Sequence, residues 1–123
     1  MAHQSWSVLD APNPTYLSTQ LLVEELVRNG VHTFFVAPGS RSTPLTVAIA
    51  RHPEAGSVLH GDERGAAFAA MGVGRAARGP AAWVTTSGTA VADGLPAAVE
   101  ASVDGGPMLL LTADRPPELR DTG

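Results

Sequence analysis

The stretch Gly61-Asp62-Glu63-Arg64-Gly65-Ala66 joins a short apolar run, residues 57–60, to a long segment of small residues, 66–74. This pattern predicts a strand, a tight turn and a helix. In an open α/β sheet, ligands bind outside the carboxyl ends of the strands, where such turns lie. We therefore expect the chemistry of the chain near Glu63. On spacing alone, helix capping by Asp62 and an ordinary first-turn acid at Glu63 explain the same residues.

Strand and helix alternate at nearly even spacing along the rest of the chain. Predicted strands cover residues 31–37, 58–60, 81–86 and 108–112, and predicted helices cover 14–29, 43–51, 63–78 and 90–103, the last with a kink or restart at Pro96. Residues 38–42 are predicted as a loop and 113–117 as an extended exit. The alternation predicts an α/β fold with about four or more parallel strands and helices on both faces. We expect an irregular lead-in over residues 1–12 and one domain over 13–123.

Composition narrows the class of protein. The 123 residues carry a formal net charge of -4, which favours neither a nucleic-acid surface nor an anionic membrane as partner. The chain contains no cysteine, which excludes disulfides and cysteine nucleophiles and is typical of a cytoplasmic protein. No apolar run approaches the roughly 20 residues that a membrane span requires.

Polar side chains follow each predicted strand at the point where it ends. They are Ser40, Arg41 and Ser42 after the first, Asp62, Glu63 and Arg64 after the second, Thr86, Ser87, Gly88 and Thr89 after the third, and Asp114 and Arg115 after the fourth. Because the carboxyl ends of parallel strands share one edge, we expect these residues to converge. Arginine suits bidentate binding of carboxylate or phosphate, so this edge predicts a site for an anionic ligand.

Several common motifs are missing. No G-x-G-x-x-G sequence follows the first strand, no Walker A lysine occurs, and Ser87-Gly88 is not part of a G-x-S-x-G turn. The four histidines show no metal-ligand spacing, so no metal ligand is predicted in this chain. His60 borders the expected site, but a histidine at a strand end is more often structural. Trp83, in a predicted strand, is expected in the core.

Four segments of the chain resemble a known enzyme family. They are residues 37–46 (APGSRSTPLT), 62–66 (DERGA), 86–92 (TSGTAVA) and 111–119 (LTADRPPEL). In order and spacing they are similar to the N-terminal, pyrimidine-binding domain of 2-succinyl-5-enolpyruvyl-6-hydroxy-3-cyclohexene-1-carboxylate synthase, a thiamine-diphosphate enzyme of menaquinone biosynthesis. One departure is Asp93-Gly94, where the family usually has Asn and a large apolar residue; a glycine there is expected to weaken the helix by up to about 1 kcal/mol.

The resemblance implies a reaction and a set of site residues. The family decarboxylates 2-oxoglutarate and adds the resulting succinyl-semialdehyde unit to isochorismate. By resemblance, Glu63 is the catalytic, cofactor-binding glutamate that hydrogen-bonds the aminopyrimidine ring, and Thr86, Ser87 and Gly88 lie against that ring. Arg41 with Ser40, and Arg115, match residues that bind substrate carboxylates.

The resemblance also implies what this chain lacks. The family's diphosphate and its Mg²⁺ or Mn²⁺ are held by a separate C-terminal domain with a Gly-Asp-Gly motif, and the full-length enzyme is a homodimer or homotetramer. We expect this chain to be a truncated part of such a cytoplasmic enzyme, inactive alone. Two alternatives stay open: the pyrimidine-binding subunit of a split thiamine-diphosphate 2-oxoacid decarboxylase, and a non-catalytic assembly module on the same fold.

Overall fold

A computed structural model describes residues 10–122 of the chain. Along the chain its elements are α1 (Pro14–Arg28), β1 (Thr33–Val36), α2 (Thr43–Arg51), β2 (Gly56–Leu59), α3 (Glu63–Ala77), β3 (Ala81–Thr85), α4 (Thr89–Asp93), α5 (Leu95–Asp104) and β4 (Met108–Thr112). Most of the predicted lead-in, including residues 1–9, lies outside the described residues.

The four strands form one parallel sheet in the order β2-β1-β3-β4. This confirms the predicted α/β class and parallel sheet. The chain leaves β1 toward β2 on one side and later continues from β3 to β4 on the other. The order of connection therefore reverses between β1 and β3, which is where such sheets open a crevice at their carboxyl ends.

Local signals at the start of α1 act as predicted. The Asn13 side chain accepts a hydrogen bond from the Tyr16 backbone N–H at 3.1 Å, and Pro14 takes the first helical position, where its missing N–H does no harm. At the other end, Gly30 adopts a positive φ of 89° and turns the chain toward β1. The predicted exposed pair of Glu24 and Arg28 is present, with 2.7 Å between Oε1 and Nε.

Two cores lie on opposite faces of the sheet. Phe34 and Val36 of β1 point into the core beneath α1 and α2, whereas Phe35 and Ala37 point into the core beneath α3 and α5. Because successive residues of a strand alternate between faces, a strand covered on both sides must be apolar throughout. This confirms the interpretation of β1 as a buried strand, and Trp83 is buried in the second core as predicted.

Other predicted boundaries need correction. Residues 38–42 are not all loop, because Ser40–Ser42 form a 3₁₀ turn that runs directly into α2. The exit after β4 likewise ends in a 3₁₀ turn at Pro117–Leu119. The predicted helix over 90–103, with a kink or restart at Pro96, is two helices that meet at Gly94; the second begins at Leu95 with Pro96 in its first turn, so the restart is confirmed and the single kinked helix is not.

Gly94 has a packing role that its helix propensity does not reveal. A Cβ built on it would lie 2.3 Å from Cη2 and 2.4 Å from Cζ3 of Trp83, so the indole ring occupies the space where a side chain would stand. The expectation that Gly94 merely weakens a helix is therefore incomplete. The glycine lets the α4–α5 junction lie directly on the large side chain of β3.

Within residues 10–122, no helix combines the length and the apolar character needed to cross a bilayer.

Candidate functional site at the carboxyl edge of the sheet

Backbone hydrogen bonds hold the four strand exits in register. The N–H of His60 donates to the carbonyl of Val36 at 3.0 Å, and the N–H of Ala37 donates to that of Val84 at 2.9 Å. The N–H of Ala113 donates to the carbonyl of Thr85 at 3.0 Å. Each bond lies at or just beyond the end of a strand, so the pairing of the sheet continues into the residues that begin the loops. The candidate site is thus built on a rigid edge.

Glu63 is the first residue of α3. Asp62 precedes it as N-cap, and its carboxylate accepts a hydrogen bond from the Gly65 backbone N–H at 2.7 Å. The capping role considered for Asp62 is therefore real. Glu63 is half-buried, and its carboxylate has no hydrogen-bond or ion-pair partner within residues 10–122. A carboxylate at a helix N-terminus is favoured by the helix dipole, yet this one is left available to a ligand.

The loop after β1 is clamped by a buried serine. Ser42 Oγ donates to the Gly39 carbonyl at 3.0 Å and accepts from the Gly39 N–H at 3.3 Å. This tight turn leaves Ser40 and Arg41 exposed, and neither side chain has a partner among the described residues. The same turn touches the exit of β3, since a Cβ on Gly39 would lie 2.4 Å from the Cβ of Thr86.

The turn after β3 exposes its backbone. Gly88 has φ 83° and ψ -143°, a conformation that residues with a Cβ rarely adopt. Apart from its two neighbours in the chain, no atom of residues 10–122 lies within 4 Å of the position its Cβ would take. Thr86 and Ser87 precede it and are half-buried. A flat ring can approach this glycine without meeting a side chain. The Thr85 hydroxyl, fully buried at the end of β3, has no hydrogen-bond partner in the described part of the chain.

Arg41 borders an open groove of about 360 Å³ on the α1–α2 face of the sheet. Apolar side chains such as Leu22, Leu45 and Leu111 line most of it, and the end of β4 forms one wall. Among the residues from 10 to 122 that line it, Arg41 alone is charged. The groove therefore combines an apolar floor with one cationic group, a lining suited to a molecule with an apolar body and an acidic end.

Arg115 follows β4 in a loop that is held by hydrogen bonds and an ion pair among its own residues. Asp114 accepts a hydrogen bond from the Arg115 N–H at 2.7 Å and pairs with Arg120, whose Nε lies 3.0 Å from its other oxygen. Arg120 also donates to the Arg115 carbonyl at 3.2 Å. These contacts hold the backbone of Arg115, and its side chain is half-buried.

The predicted residues form a row along the edge and not a single tight cluster. In sheet order come Glu63 after β2, Arg41 after β1, the turn 86–88 after β3 and Arg115 after β4. The outer exits are three strand spacings apart, about 14 Å. Moreover, Glu63 begins a helix on one face while Arg41 precedes a helix on the other. A ligand that reaches both must lie over the end of β1.

Among residues 10–122, no three His, Asp or Glu side chains stand close enough together to hold a metal ion. The groups present at the edge are a carboxylate, hydroxyls, an open glycine turn and two guanidinium groups. This donor set fits an aminopyrimidine ring, which offers ring nitrogens and an amino group to hydrogen bonds and a flat face to the glycine.

Residues 18–123 match the family described as "Thiamine pyrophosphate enzyme, N-terminal TPP binding domain". Similar proteins from several bacteria are named 2-succinyl-5-enolpyruvyl-6-hydroxy-3-cyclohexene-1-carboxylate synthase. The protein from Salinibacter ruber is 95% identical over 123 residues, which is 100% of this chain and 21% of the relative. That from Rubrobacter xylanophilus is 68% identical over 112 residues, which is 91% of this chain and 20% of the relative.

A third relative, from Chlorobium limicola, is 58% identical over 109 residues, covering 89% of this chain and 19% of the relative. The chain thus spans about a fifth of the length of the curated relatives it matches. The family match describes one N-terminal domain.

His60 borders the site as expected, and the structural role expected of a histidine at a strand end is present. Its imidazole contacts the turn that presents Glu63. The sequence shows only that His60 and Gly65 are five residues apart. The folded turn shows that the imidazole of His60 occupies the space in which a side chain at residue 65 would stand.

Proposed function

This chain belongs to the family of thiamine pyrophosphate enzyme N-terminal TPP binding domains, and we propose that it forms the pyrimidine-binding part of a 2-succinyl-5-enolpyruvyl-6-hydroxy-3-cyclohexene-1-carboxylate synthase. The observation that carries the proposal is Glu63. It is a half-buried carboxylate without a partner in the described chain, at a helix start on the carboxyl edge of the sheet.

In the proposed mechanism, Glu63 shares a proton with a ring nitrogen of the aminopyrimidine. A carboxyl group enclosed by the ring and its surroundings is separated from water, which strengthens such a hydrogen bond. The open backbone at Ser87 and Gly88 receives the face of the ring, and Thr86 supports the turn against Gly39. When bound, thiamine diphosphate supplies the electron sink that lets a 2-oxo acid lose carbon dioxide.

The substrates are proposed to be 2-oxoglutarate and isochorismate. Both carry more than one carboxylate, and guanidinium groups bind carboxylates with two parallel hydrogen bonds. Arg41, with Ser40 beside it, is exposed at the β1 exit and has no partner within residues 10–122, so it is available for this task. Arg115 is placed at the β4 exit by the contacts of Asp114 and Arg120, and we assign it a second substrate carboxylate.

The remaining parts of the reaction lie outside this chain. We propose that the diphosphate and a divalent cation, Mg²⁺ or Mn²⁺, are held by another domain of the full-length protein, which acts in the cytoplasm as a homodimer or homotetramer. The domain boundary near residue 13 belongs to the same proposal and is supported by the start of α1 at Pro14. Alone, the chain is expected to be inactive and to bind thiamine diphosphate weakly.

The test uses the full-length protein that contains this segment. Glu63→Gln keeps the shape of the side chain but cannot share its proton, so turnover of 2-oxoglutarate with isochorismate should fall by about 100- to 10,000-fold. Glu54→Gln, which changes an exposed acid in the loop before β2, is the matched control and should leave turnover unchanged. Full activity in Glu63→Gln would refute the assigned role.

A further inference from the structure

His60 is held by the central sheet, one residue beyond the end of β2. Its backbone N–H donates to the carbonyl of Val36, the last residue of β1, at 3.0 Å. The Cα of His60 therefore belongs to the rigid edge and not to the turn that follows. A side chain on this residue has a defined starting point from which to hold its neighbours.

The imidazole of His60 folds back over that turn. Its Nδ1 lies 3.1 Å from the backbone nitrogen of Asp62. Because the backbone N–H is the donor, Nδ1 must be unprotonated, and the neutral ring carries its proton on Nε2. Asp62 in turn accepts from the Gly65 N–H at 2.7 Å. Asp62 is thus held twice, through its own N–H by the ring and through its carboxylate by the helix.

The ring also rests on the first turn of α3. A Cβ on Gly65 would lie 2.4 Å from Cε1 and 3.0 Å from Nε2 of His60. The absence of a side chain at residue 65 is what allows the imidazole to reach Asp62. His60 and Gly65 thus lie on either side of Asp62, and each makes a hydrogen bond with it. Glu63 lies in the chain between Asp62 and Gly65.

We propose that His60 is a positioning residue for Glu63, acting through the hydrogen bond from the Asp62 N–H to Nδ1. The inference rests on the proposed function of Glu63. Glu63 directly follows Asp62, so its Cα is placed by the backbone of a residue that His60 anchors to the sheet. Loss of that anchor allows the first turn of α3 to shift, and small displacements of a group that must meet a ring nitrogen reduce binding and rate steeply.

The chemistry of the ring supplies a matched pair of substitutions. Asparagine can place its side-chain oxygen near the position of Nδ1, whereas glutamine places its polar atoms near Nε2. In the full-length protein, His60→Asn should keep thiamine diphosphate affinity and turnover within about twofold of the parent. His60→Gln should weaken both by about five- to tenfold, the effect of one hydrogen bond. Equal effects of the two substitutions would overturn the proposal.

A double-mutant cycle separates positioning from general damage to the fold. Thiamine diphosphate affinity is measured by calorimetry for His60→Gln in the parent and in the Glu63→Gln background. If His60 acts through Glu63, its effect on affinity should nearly vanish once Glu63 is replaced. An effect of the same size in both backgrounds would show that His60 only stabilises the turn, and the proposal would fail.

Two further measurements keep the outcomes distinct. Thermal unfolding of each His60 variant shows whether the protein is folded. Gly65→Ala offers a second route to displacing the ring. Its new Cβ would also lie 2.9 Å from Oδ2 of Asp62, so the informative quantity is the difference between its effect in the parent and its effect in the His60→Asn background. Gly65→Ala should weaken affinity more in the parent than in the His60→Asn background, and equal weakening in both contradicts the proposal.

If Glu63→Gln itself leaves activity intact, the proposed function fails. If Glu63→Gln abolishes activity while His60→Asn and His60→Gln behave alike, only this inference fails.

Discussion

At the scale of single residues, the arginine at the β1 exit of the carboxyl edge differs from several arginines elsewhere on the surface in having no carboxylate partner among the described residues. Arg28, Arg75 and Arg120 each pair with a carboxylate. Arg41 has no such partner within residues 10–122, although it stands in a turn that Ser42 holds tightly. A rigid backbone beneath an unpaired guanidinium favours binding of an anion from outside, because little side-chain and loop order remains to be created on binding.

The first prediction concerns Arg41. Arg41→Gln in the full-length protein should raise KM for one carboxylate substrate by about 10- to 100-fold, because a charge-assisted hydrogen bond is worth about 1.5–3 kcal/mol. Steady-state kinetics with each substrate varied in turn will identify which acid Arg41 binds. Arg51→Gln, at the opposite end of α2 and also exposed, is the control and should change neither KM. Unchanged KM values in Arg41→Gln would remove Arg41 from the site.

At the scale of elements, two junctions hold helices to the sheet. On one face, the α4–α5 junction rests on Trp83 through Gly94. On the other, His52 at the end of α2 is buried and contacts Glu24 of α1, with 3.1 Å between Nε2 and Oε2. The Glu54 N–H donates to Nδ1 of His52, so the neutral ring has its proton on Nε2 and donates it to Glu24. Both junctions join segments that are distant in sequence.

The second prediction is steric. The backbone at Gly94 is right-handed helical, φ -79° and ψ -12°, so alanine is allowed there by conformation, and the three nearest atoms that its Cβ would meet all belong to the Trp83 ring. Gly94→Ala should lower the free energy of unfolding by about 1–3 kcal/mol in chemical denaturation. Gly72→Ala, in the exposed middle of α3, should instead be neutral or stabilise by up to about 1 kcal/mol, because apart from the adjacent backbone of α3 no atom of the described residues lies within 4 Å of the new Cβ.

A compensating change sharpens this test. Trp83→Phe removes ring atoms that face Gly94, and it sacrifices no hydrogen bond within residues 10–122, since the buried Nε1 of Trp83 has no partner there. The cost of Gly94→Ala should therefore be smaller in the Trp83→Phe background. An equal cost in both backgrounds would contradict the steric explanation.

The third prediction follows from the α1–α2 junction. Hydrogen bonds from His52 first, and then from Arg28, hold the pKa of Glu24 below its ordinary value of 4.5. A carboxyl whose pKa is lower in the folded state adds stability above its unfolded pKa and loses that contribution as the pH falls through the folded value. Glu24→Gln should thus lower the free energy of unfolding at neutral pH. The difference in free energy of unfolding between this variant and the parent should shrink as the pH falls below about 4.5.

Unfolding curves recorded as a function of pH will check this. Glu25→Gln is the control, because Glu25 is exposed on the same helix and approaches Arg28 only to 3.5 Å. A difference between Glu24→Gln and the parent that grows as the solution is acidified would have the wrong sign and would reject the assignment.

At the scale of the whole molecule, the sheet is covered unevenly. β1 and β3 are buried between helices, whereas β2 forms an edge on which Val58 is 45% and Leu59 69% exposed. Within the described residues β2 pairs only with β1, so one row of its backbone groups is unpaired. An apolar, unpaired edge strand is a template for association with another strand.

The fourth prediction is that the 123-residue chain, produced by itself, self-associates through β2. Val58→Lys places a charge on the edge and should reduce association in sedimentation or light-scattering experiments. Val103→Lys is a matched control, since Val103 is 84% exposed but lies on α5, where the backbone is already hydrogen-bonded. A larger effect of Val103→Lys would show that the chain self-associates through α5 and not through β2.

The sequence by itself determined the alternation of strands and helices, the cap at Asn13 and Pro14, the buried character of β1 and the residue types at each strand exit. These features depend on neighbours within a few positions, so the chain displays them directly. Only the tertiary structure decided that β2 is an edge, that Glu63 begins a helix on one face of the sheet while Arg41 precedes a helix on the other, and that Trp83 fits Gly94 and His60 fits Gly65. Strand order and the packing of one side chain against another depend on contacts between segments that are distant in sequence. An apolar run has the same sequence pattern whether the fold places it at the centre of the sheet or at its edge.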